Sequence, residues 1–354
     1  MEWMIYGAYG YTGELIAREA KRQGRRPILA GRSAARIASL SRELELPSRV
    51  FPLETPSAAA DGLRGVRLVL NCAGPFSHTA FAMMRAALAA NTHYLDITGE
   101  IDILEGVHGL GAEAKAAGVV LCPGVGFDVV PTDCIALMLK KALPDAASLA
   151  LGFDTTDREM SAGTTKTLVE ALGKGGKIRR GGRLVDFPLG RGLRRIDFGR
   201  GEKLAMPIPW GDAASAYYTT GIPDITVYAP VSPLLAAFAR LTPVLAFLLR
   251  PEFVQKRIKE VIERKIKGPD EKARCAGRSW VWGEAHNPKG ERYEIRIVTL
   301  NGYALTVHSA LAAVRFLLER DCPPGSWTPA ALMGESLVLS LPGTSLLNAP
   351  PHAA

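Results

Sequence analysis

Trp3-Met4-Ile5-Tyr6-Gly7-Ala8-Tyr9-Gly10-Tyr11-Thr12-Gly13 is the stretch that decides the fold. Trp3 to Tyr6 is an apolar run of strand length. Three glycines follow at spacing three, and a helical pattern starts at once, with Leu15, Ile16 and Ala20 on one face. A strand, a glycine turn and a helix open a βαβ dinucleotide-binding unit. Each glycine has a task in that unit. Gly7 lets the chain turn tightly off the strand, Gly10 lets the backbone approach a pyrophosphate, and Gly13 lets helix and strand pack closely. The phosphates are expected at the positive helix N-terminus, with Tyr9, Tyr11 and Thr12 in the same turn as further cofactor contacts. The spacing departs from G-x-G-x-x-G, so its position after a first strand carries the reading.

The next strand, Pro27-Ile28-Leu29-Ala30-Gly31, runs into Arg32-Ser33. A site for NAD usually places Asp or Glu there to bind the ribose 2′-hydroxyl. No acidic residue occurs between Glu19 and Glu43, an interval that holds Lys21, Arg22, Arg25, Arg26, Arg32, Arg36 and Arg42. Arg32 falls where a guanidinium can grip a 2′-phosphate through paired hydrogen bonds. The expected cofactor is therefore NADP(H). Solvated surface charge is the plainer reading of Arg22, Arg25 and Arg42.

Outward from this start, strand and helix patterns alternate to about residue 125. Strands are expected at 2–6, 27–31, 49–53, 66–71, 93–97 and 118–122, with helices most clearly at 78–90 and 104–117. The fold class is α/β, a Rossmann-type doubly wound parallel sheet with an inserted α+β second domain. Ligands bind beyond the carboxyl ends of such strands. Three loops fall there: Asn71-Cys72-Ala73-Gly74-Pro75-Phe76, Thr98-Gly99-Glu100 and Pro123-Gly124-Val125-Gly126-Phe127-Asp128. Ala73, Gly74, Pro75 and Phe76 are cofactor contacts by position, with a plain tight turn as the alternative.

After a helix near 131–142, residues 148–230 read as β-rich, and alternation returns at 278–300. A helix is expected at about 304–319. Thr328-Pro329 reads as an N-cap with proline at the first helical position, and a loose tail follows 342. The domains expected are 1–135, joined by helices at 303–342, and a second domain over 145–300.

Composition sets bounds. The chain has 354 residues, 47% hydrophobic and 22% charged, with a net charge of +8, ordinary values for a soluble protein with two cores. Five scattered cysteines and six histidines without ligand spacing suggest neither a disulfide framework nor a metal site. A cytoplasmic location is expected from that cysteine usage, with membrane association as its variant.

The loops, taken in order, resemble a known group. Gly7 to Gly13, Gly74-Pro75-Phe76, Tyr94 to Glu100 and Gly126-Phe127-Asp128-Val129-Val130-Pro131-Thr132-Asp133 resemble the saccharopine dehydrogenase-like oxidoreductases, which include the trans-acting enoyl reductases. Ser161-Ala162-Gly163-Thr164, Gly302-Tyr303 and Pro324 to Gly334 are similar to further motifs of that group. The resemblance implies a Rossmann domain, an inserted α+β domain and a nicotinamide cofactor. It does not name the substrate. A substrate with three carboxylates needs several convergent cations, and none is obvious near the strand ends.

Two carboxylates are candidates for moving the proton that accompanies hydride transfer: Glu100 and Asp128. Glu100 could equally cap the next helix or pair with an arginine, and Asp133 could serve its own helix start. Thr155 to Thr167 gathers hydroxyls that bind a ligand or cap a helix. Residues 174–203 carry ten Lys or Arg against three Asp or Glu. They read as a flexible solvated loop, or as a surface that steers an acidic partner such as an acyl carrier protein or acyl thioester. Nucleic acid is not expected, because aromatic residues are sparse there. Val231 to Leu249 is apolar with Arg240 and two prolines inside it, and a basic stretch follows. Peripheral membrane contact through 231–267 competes there with core packing and with a homodimer contact. The leading expectation is hydride transfer to or from a C=C or C=N bond of a small-molecule or acyl substrate, in a cleft between the domains. The alternative is a non-catalytic NADP-binding sensor or scaffold at a membrane surface.

Overall fold

The computed structural model describes residues 2–156, 175–239 and 270–348. The chain divides into two units, Met1–Val130 with Leu305–Met333, and Pro131–Ala304 with Gly334–Ala354. The Ser161 to Thr164 motif, the hydroxyl stretch beyond Thr156, and residues 240–267 of the apolar and basic segment lie outside the described residues.

In the first unit, short apolar runs make short buried strands. These are β1 (Trp3–Tyr6), β2 (Ile28–Gly31), β3 (Ser48–Val50), β4 (Leu68–Asn71), β5 (His93–Asp96) and β6 (Val120–Cys122). All pair in parallel, in the order β6-β5-β4-β1-β2-β3, and Gly325–Ser326 adds a two-residue strand beside β6. The order reverses at β1, between β2 and β4, which is the switch point where such sheets bind ligands. Helices Tyr11–Arg22 and Ala34–Leu44, with the stretch from Leu305 of Gly302–Glu319, bury Ile16, Ile37, Leu311 and Val314 on one side of the sheet. Phe76–Ala89 and its neighbours bury Met83, Met84, Ile103 and Leu110 on the other.

The helix expected over 104–117 is broken into Ile101–Gly106, a 3₁₀ turn Val107–Leu110, and Gly111–Ala116. Glycine is a poor helix former, and Gly106, Gly109 and Gly111 crowd this segment. Packing accounts for two of them: a Cβ on Gly106 would lie 2.6 Å from the Phe81 ring, and one on Gly111 2.8 Å from Ser326 Oγ.

The second unit holds a nine-stranded mixed sheet. Its strands are β7 (Ser148–Thr155), β8 (Gly176–Arg180), β9 (Arg183–Phe187), β10 (Arg194–Asp197), β11 (Glu202–Pro207), β12 (Asp224–Pro230), β13 (Arg278–His286), β14 (Arg292–Leu300) and a last strand Ser345–Asn348. The helix that begins at Val130 lays Leu139 close over Gly283 of β13, where a Cβ would stand 2.9 Å from Leu139 Cδ1.

Two expectations are corrected here. The described part of 174–203 is not a loop, because it contributes β8, β9, β10 and the start of β11. Its glycines are turns: Gly181, Gly182, Gly190, Gly192, Gly199 and Gly201 all have positive φ and sit between strands. Its charges are partly absorbed as well. Arg179 is buried, donates to Ala213 O and Gly182 O, and stacks on Tyr217, while Arg194 forks onto the buried Glu284 carboxylate. The tail past 342 is not wholly loose either, because Ser345–Asn348 pairs antiparallel with β14.

Candidate functional site

The site is built on the first unit, from the β1 end outward. Gly7 takes φ +78°, a conformation that side chains with a Cβ rarely adopt. A Cβ there would also lie 2.7 Å from Ala73 N, so the turn after β1 and the turn after β4 touch backbone to backbone. Gly7 N and Ala8 N both donate to Ala30 O of β2. Gly13 faces Gly7 O too closely for any side chain, which is the close helix–strand packing expected of it. Gly10 is the N-cap of helix Tyr11–Arg22 and receives the bond from Glu14 N. The first-turn N–H groups of a helix stand outside its internal ladder and favour an anion. Tyr11, Thr12 and Gly13 occupy that first turn.

At the end of β2 the chain turns at Gly31, and the Tyr9 ring lies over it, so a Cβ on Gly31 would stand 2.6 Å from Tyr9 Cε1. Arg36 stacks on the same Tyr9 ring, with its guanidinium carbon 4.4 Å from the ring centroid and Nη2 donating to Tyr9 O. Arg32 extends into solvent, its nearest acid Glu54 at 3.9 Å. Ser33 is the N-cap of helix Ala34–Leu44, and its hydroxyl makes no capping bond within the helix. Two guanidiniums, a hydroxyl and a helix N-terminus thus lie within one short stretch of chain beyond β2, Arg32 to Arg36. That donor set fits a phosphate monoester. Sequence reasoning left Arg36 and Ser33 unassigned; their spacing from Arg32 on the next helix is the signal that could have found them.

At the β4–β6 end, a buried network fixes three strand ends. Asn71 Oδ1 accepts from Ala73 N, and its amide reaches Tyr94 Oη at 3.4 Å. Tyr94 Oη donates to Asp96 Oδ2 at 2.6 Å, while Asp96 Oδ1 accepts from Thr98 N at 2.9 Å and Gly124 N at 2.8 Å. Burial pushes the Asp96 carboxyl up to about 6, against the lowering pull of those hydrogen bonds. Asp96 is therefore a brace between β4, β5 and β6. Ala73, Gly74, Pro75 and Phe76 form the turn beside it, with a cis peptide between Gly74 and Pro75 and Thr79 Oγ1 donating to Ala73 O.

Glu100 accepts a hydrogen bond from Phe76 N at 2.9 Å, so its carboxylate caps helix Phe76–Ala89. It makes no side-chain cap on the helix it precedes. Asp128 lies against Gly99: a Cβ on that glycine would stand 2.7 Å from Asp128 Cβ and 2.9 Å from Oδ2. The two acids thus flank one backbone turn, and they differ in environment. Burial pushes the half-buried Asp128 up to about 7. His78 is exposed. Among the described residues no cluster of His, Cys, Asp and Glu could hold a metal ion, and no helix is long and apolar enough to cross a membrane.

A nicotinamide dinucleotide fits this arrangement. Its pyrophosphate suits the Gly7–Gly13 turn and its 2′-phosphate the Arg32, Ser33 and Arg36 group, which leaves the nicotinamide end for the β4–β6 turns. Residues 3–122 match the family model described as Saccharopine dehydrogenase NADP binding domain. A saccharopine dehydrogenase-like oxidoreductase of Mus musculus is 25% identical over 202 residues, 50% of this chain and 47% of that protein, so the match spans about half the length of that relative. A trans-acting enoyl reductase of Mycobacterium tuberculosis (strain ATCC 25618 / H37Rv) is 25% identical over 97% of this chain and 96% of its own length. The solved apo histidine-tagged saccharopine dehydrogenase (L-Glu forming) from Saccharomyces cerevisiae shares the fold, with a TM-score of 0.60 over 95% of each chain at 12% identity. Over residues 3–122 the first unit is thus similar to a saccharopine dehydrogenase NADP-binding domain, and over nearly its whole length the chain is similar to a trans-acting enoyl reductase.

Proposed function

We propose that this protein is an NADPH-dependent reductase of a polarised C=C bond in an acyl substrate, with Asp128 as the proton donor. The observation that carries the reading is Asp128, packed against the Gly99 turn, where burial pushes its carboxyl up to about 7 so that it holds a proton near neutral pH. The enoyl reductase relative, alike over nearly the whole chain, supports the choice of bond. The charge of the rim supports it too. The named side chains at the β4–β6 end are Asn71, Thr79, Asp96, Glu100 and Asp128, a set with no cation to pair with a substrate of several carboxylates and compatible with an uncharged acyl group.

The chemistry supplied by the reduced nicotinamide, when bound, is a hydride. The chain's own residues do the rest. The Gly7–Gly13 turn and the helix behind it hold the pyrophosphate, and Arg32, Ser33 and Arg36 take the 2′-phosphate. Glu100, committed to Phe76 N, keeps the turn after β4 in place. When bound, the cofactor would supply that hydride to the β-carbon of the α,β-unsaturated acyl group. The π electrons then form the new bond at the α-carbon, with the proton held on Asp128. A C=N bond can be reduced by the same residues, with the proton going to nitrogen.

The test is NADPH oxidation with an α,β-unsaturated acyl thioester, with a cyclic imine run beside it. Turnover of the thioester, with two hydrogens gained by the product, is the expected result. Turnover of the imine alone moves the substrate class. NADPH binding with no turnover of either returns weight to a cofactor-binding module without catalysis.

A further inference from the structure

Ten large apolar side chains stand exposed among the described residues, and the three most exposed share one seven-residue helix. They are Leu234 at 69%, Leu235 at 59% and Phe238 at 54%. The helix, Pro233–Ala239, starts on proline, and Ser232 Oγ accepts from Leu235 N to cap it. Ala236 and Ala239 bury the inner side, so the three large residues form one outer face at i, i+1 and i+4. At the foot of this helix lies a cavity of about 460 Å³ whose lining includes Arg195, Lys203 and the turn Val231–Pro233. Strand pairing fixes this proximity. Arg195 of β10 stands opposite Leu204 of β11, and Val231 N donates to Leu204 O. Arg195 is exposed, while Lys203 reaches Asp154 Oδ2 at 2.7 Å.

We propose that this face rests on an anionic lipid surface, with Leu234, Leu235 and Phe238 entering the boundary between headgroups and acyl chains and Arg195 meeting lipid phosphate at the cavity mouth. An apolar helix face with an exposed cation near its foot is chemistry that suits such a surface. The chain's net charge of +8 acts in the same direction. A second copy of the chain is a poorer occupant. A two-fold contact sets a patch against itself, which brings one exposed Arg195 towards another. Three side chains also offer far less than the roughly 800 Å² per partner of a stable interface. The inference is independent of the substrate proposed above.

The experiment is co-sedimentation of the full chain with vesicles. One set contains equal parts phosphatidylglycerol and phosphatidylcholine, and the other phosphatidylcholine alone. The wild type should pellet with the anionic vesicles, release at high salt, and ignore the neutral ones. The combined variant Leu234→Ser, Leu235→Ser, Phe238→Ser should lose at least tenfold in vesicle affinity, as should Arg195→Glu separately. Both should bind NADPH as the wild type does, which certifies the fold. Three results overturn the proposal: a wild type that stays in the supernatant, variants that pellet equally well, or a triple variant that changes the sedimenting mass of the free protein while leaving vesicle binding intact. The last identifies the face as a contact between copies.

Discussion

Arg32 and Asp128 stand at the two ends of the proposed cofactor track, and each is open to a direct test. Arg32 holds its guanidinium in solvent beside an equally exposed Glu54, a pair of little intrinsic strength that a phosphate can displace. A charge-assisted hydrogen bond to phosphate contributes about 1.5–3 kcal/mol. Arg32→Ala should therefore weaken NADPH binding roughly tenfold to a hundredfold and leave NADH binding nearly unchanged, as read by calorimetry with both nucleotides. Equal losses for the two would remove Arg32 from phosphate recognition. Asp128 makes a prediction in pH. Its carboxyl stands at about 7, against an ordinary value of 3.8, so the folded state holds a proton there that the unfolded chain has already lost. The stability tied to that proton is complete below the unfolded value and is lost as pH rises through about 7. Asp128→Asn, which cannot ionise, should gain stability relative to wild type at alkaline pH. The wild-type reductive rate should fall through the same range as the donor deprotonates. The variant should lose about 10²- to 10⁴-fold in turnover with NADPH binding intact. A flat wild-type pH profile, or full turnover in the variant, would assign the proton elsewhere.

At the scale of elements, the ends of β4, β5 and β6 are tied by one carboxylate. Asp96→Ala strands Thr98 N, Gly124 N and Tyr94 Oη without their acceptor, and buried donors left unsatisfied cost about 1–3 kcal/mol each. A loss of roughly 3 kcal/mol or more in denaturant unfolding is expected, with about 1 kcal/mol for Tyr94→Phe. A loss of under about 1 kcal/mol for Asp96→Ala would mean the brace is redundant. The brace also marks what a sequence can disclose. The parallel strands were legible to within a few residues, because an apolar run such as Leu68-Val69-Leu70 has few other uses. The glycine turn after β1 and the cationic turn after β2 were legible for the same local reason. Glu100 was harder, since the backbone it caps belongs to Phe76, 24 residues earlier. The β-rich character of 148–230 was legible, but the glycines within 174–203 looked like flexibility and are turns with positive φ between strands. The strand Ser345–Asn348 was hidden because four residues of Ser-Leu-Leu-Asn carry almost no periodic signal.

At the scale of the whole molecule, the chain holds two units with separate sheets, and the proposed nucleotide contacts all belong to the first. That confinement is testable without knowledge of the substrate. A ligand that binds only the native state stabilises it by RT ln(1 + [L]/Kd), about 2.7 kcal/mol when the free ligand is a hundredfold above Kd. Hydrogen exchange with saturating NADPH should therefore slow most at the amides of Gly7 to Gly13 and Arg32 to Arg36, and at the turn around Ala73 and Phe76. Strands β10 and β11 of the second unit, which carry no proposed nucleotide contact, set the reference for this comparison. NADH at the same concentration should protect the first turn but not Arg32 to Arg36, because it lacks the phosphate those residues read. Protection that is equal for the two nucleotides at Arg32 to Arg36 would show that helix Ala34–Leu44 responds to the shared adenosine and not to the phosphate. Protection centred on β10 and β11 would place the nucleotide on the wrong unit and overturn the site.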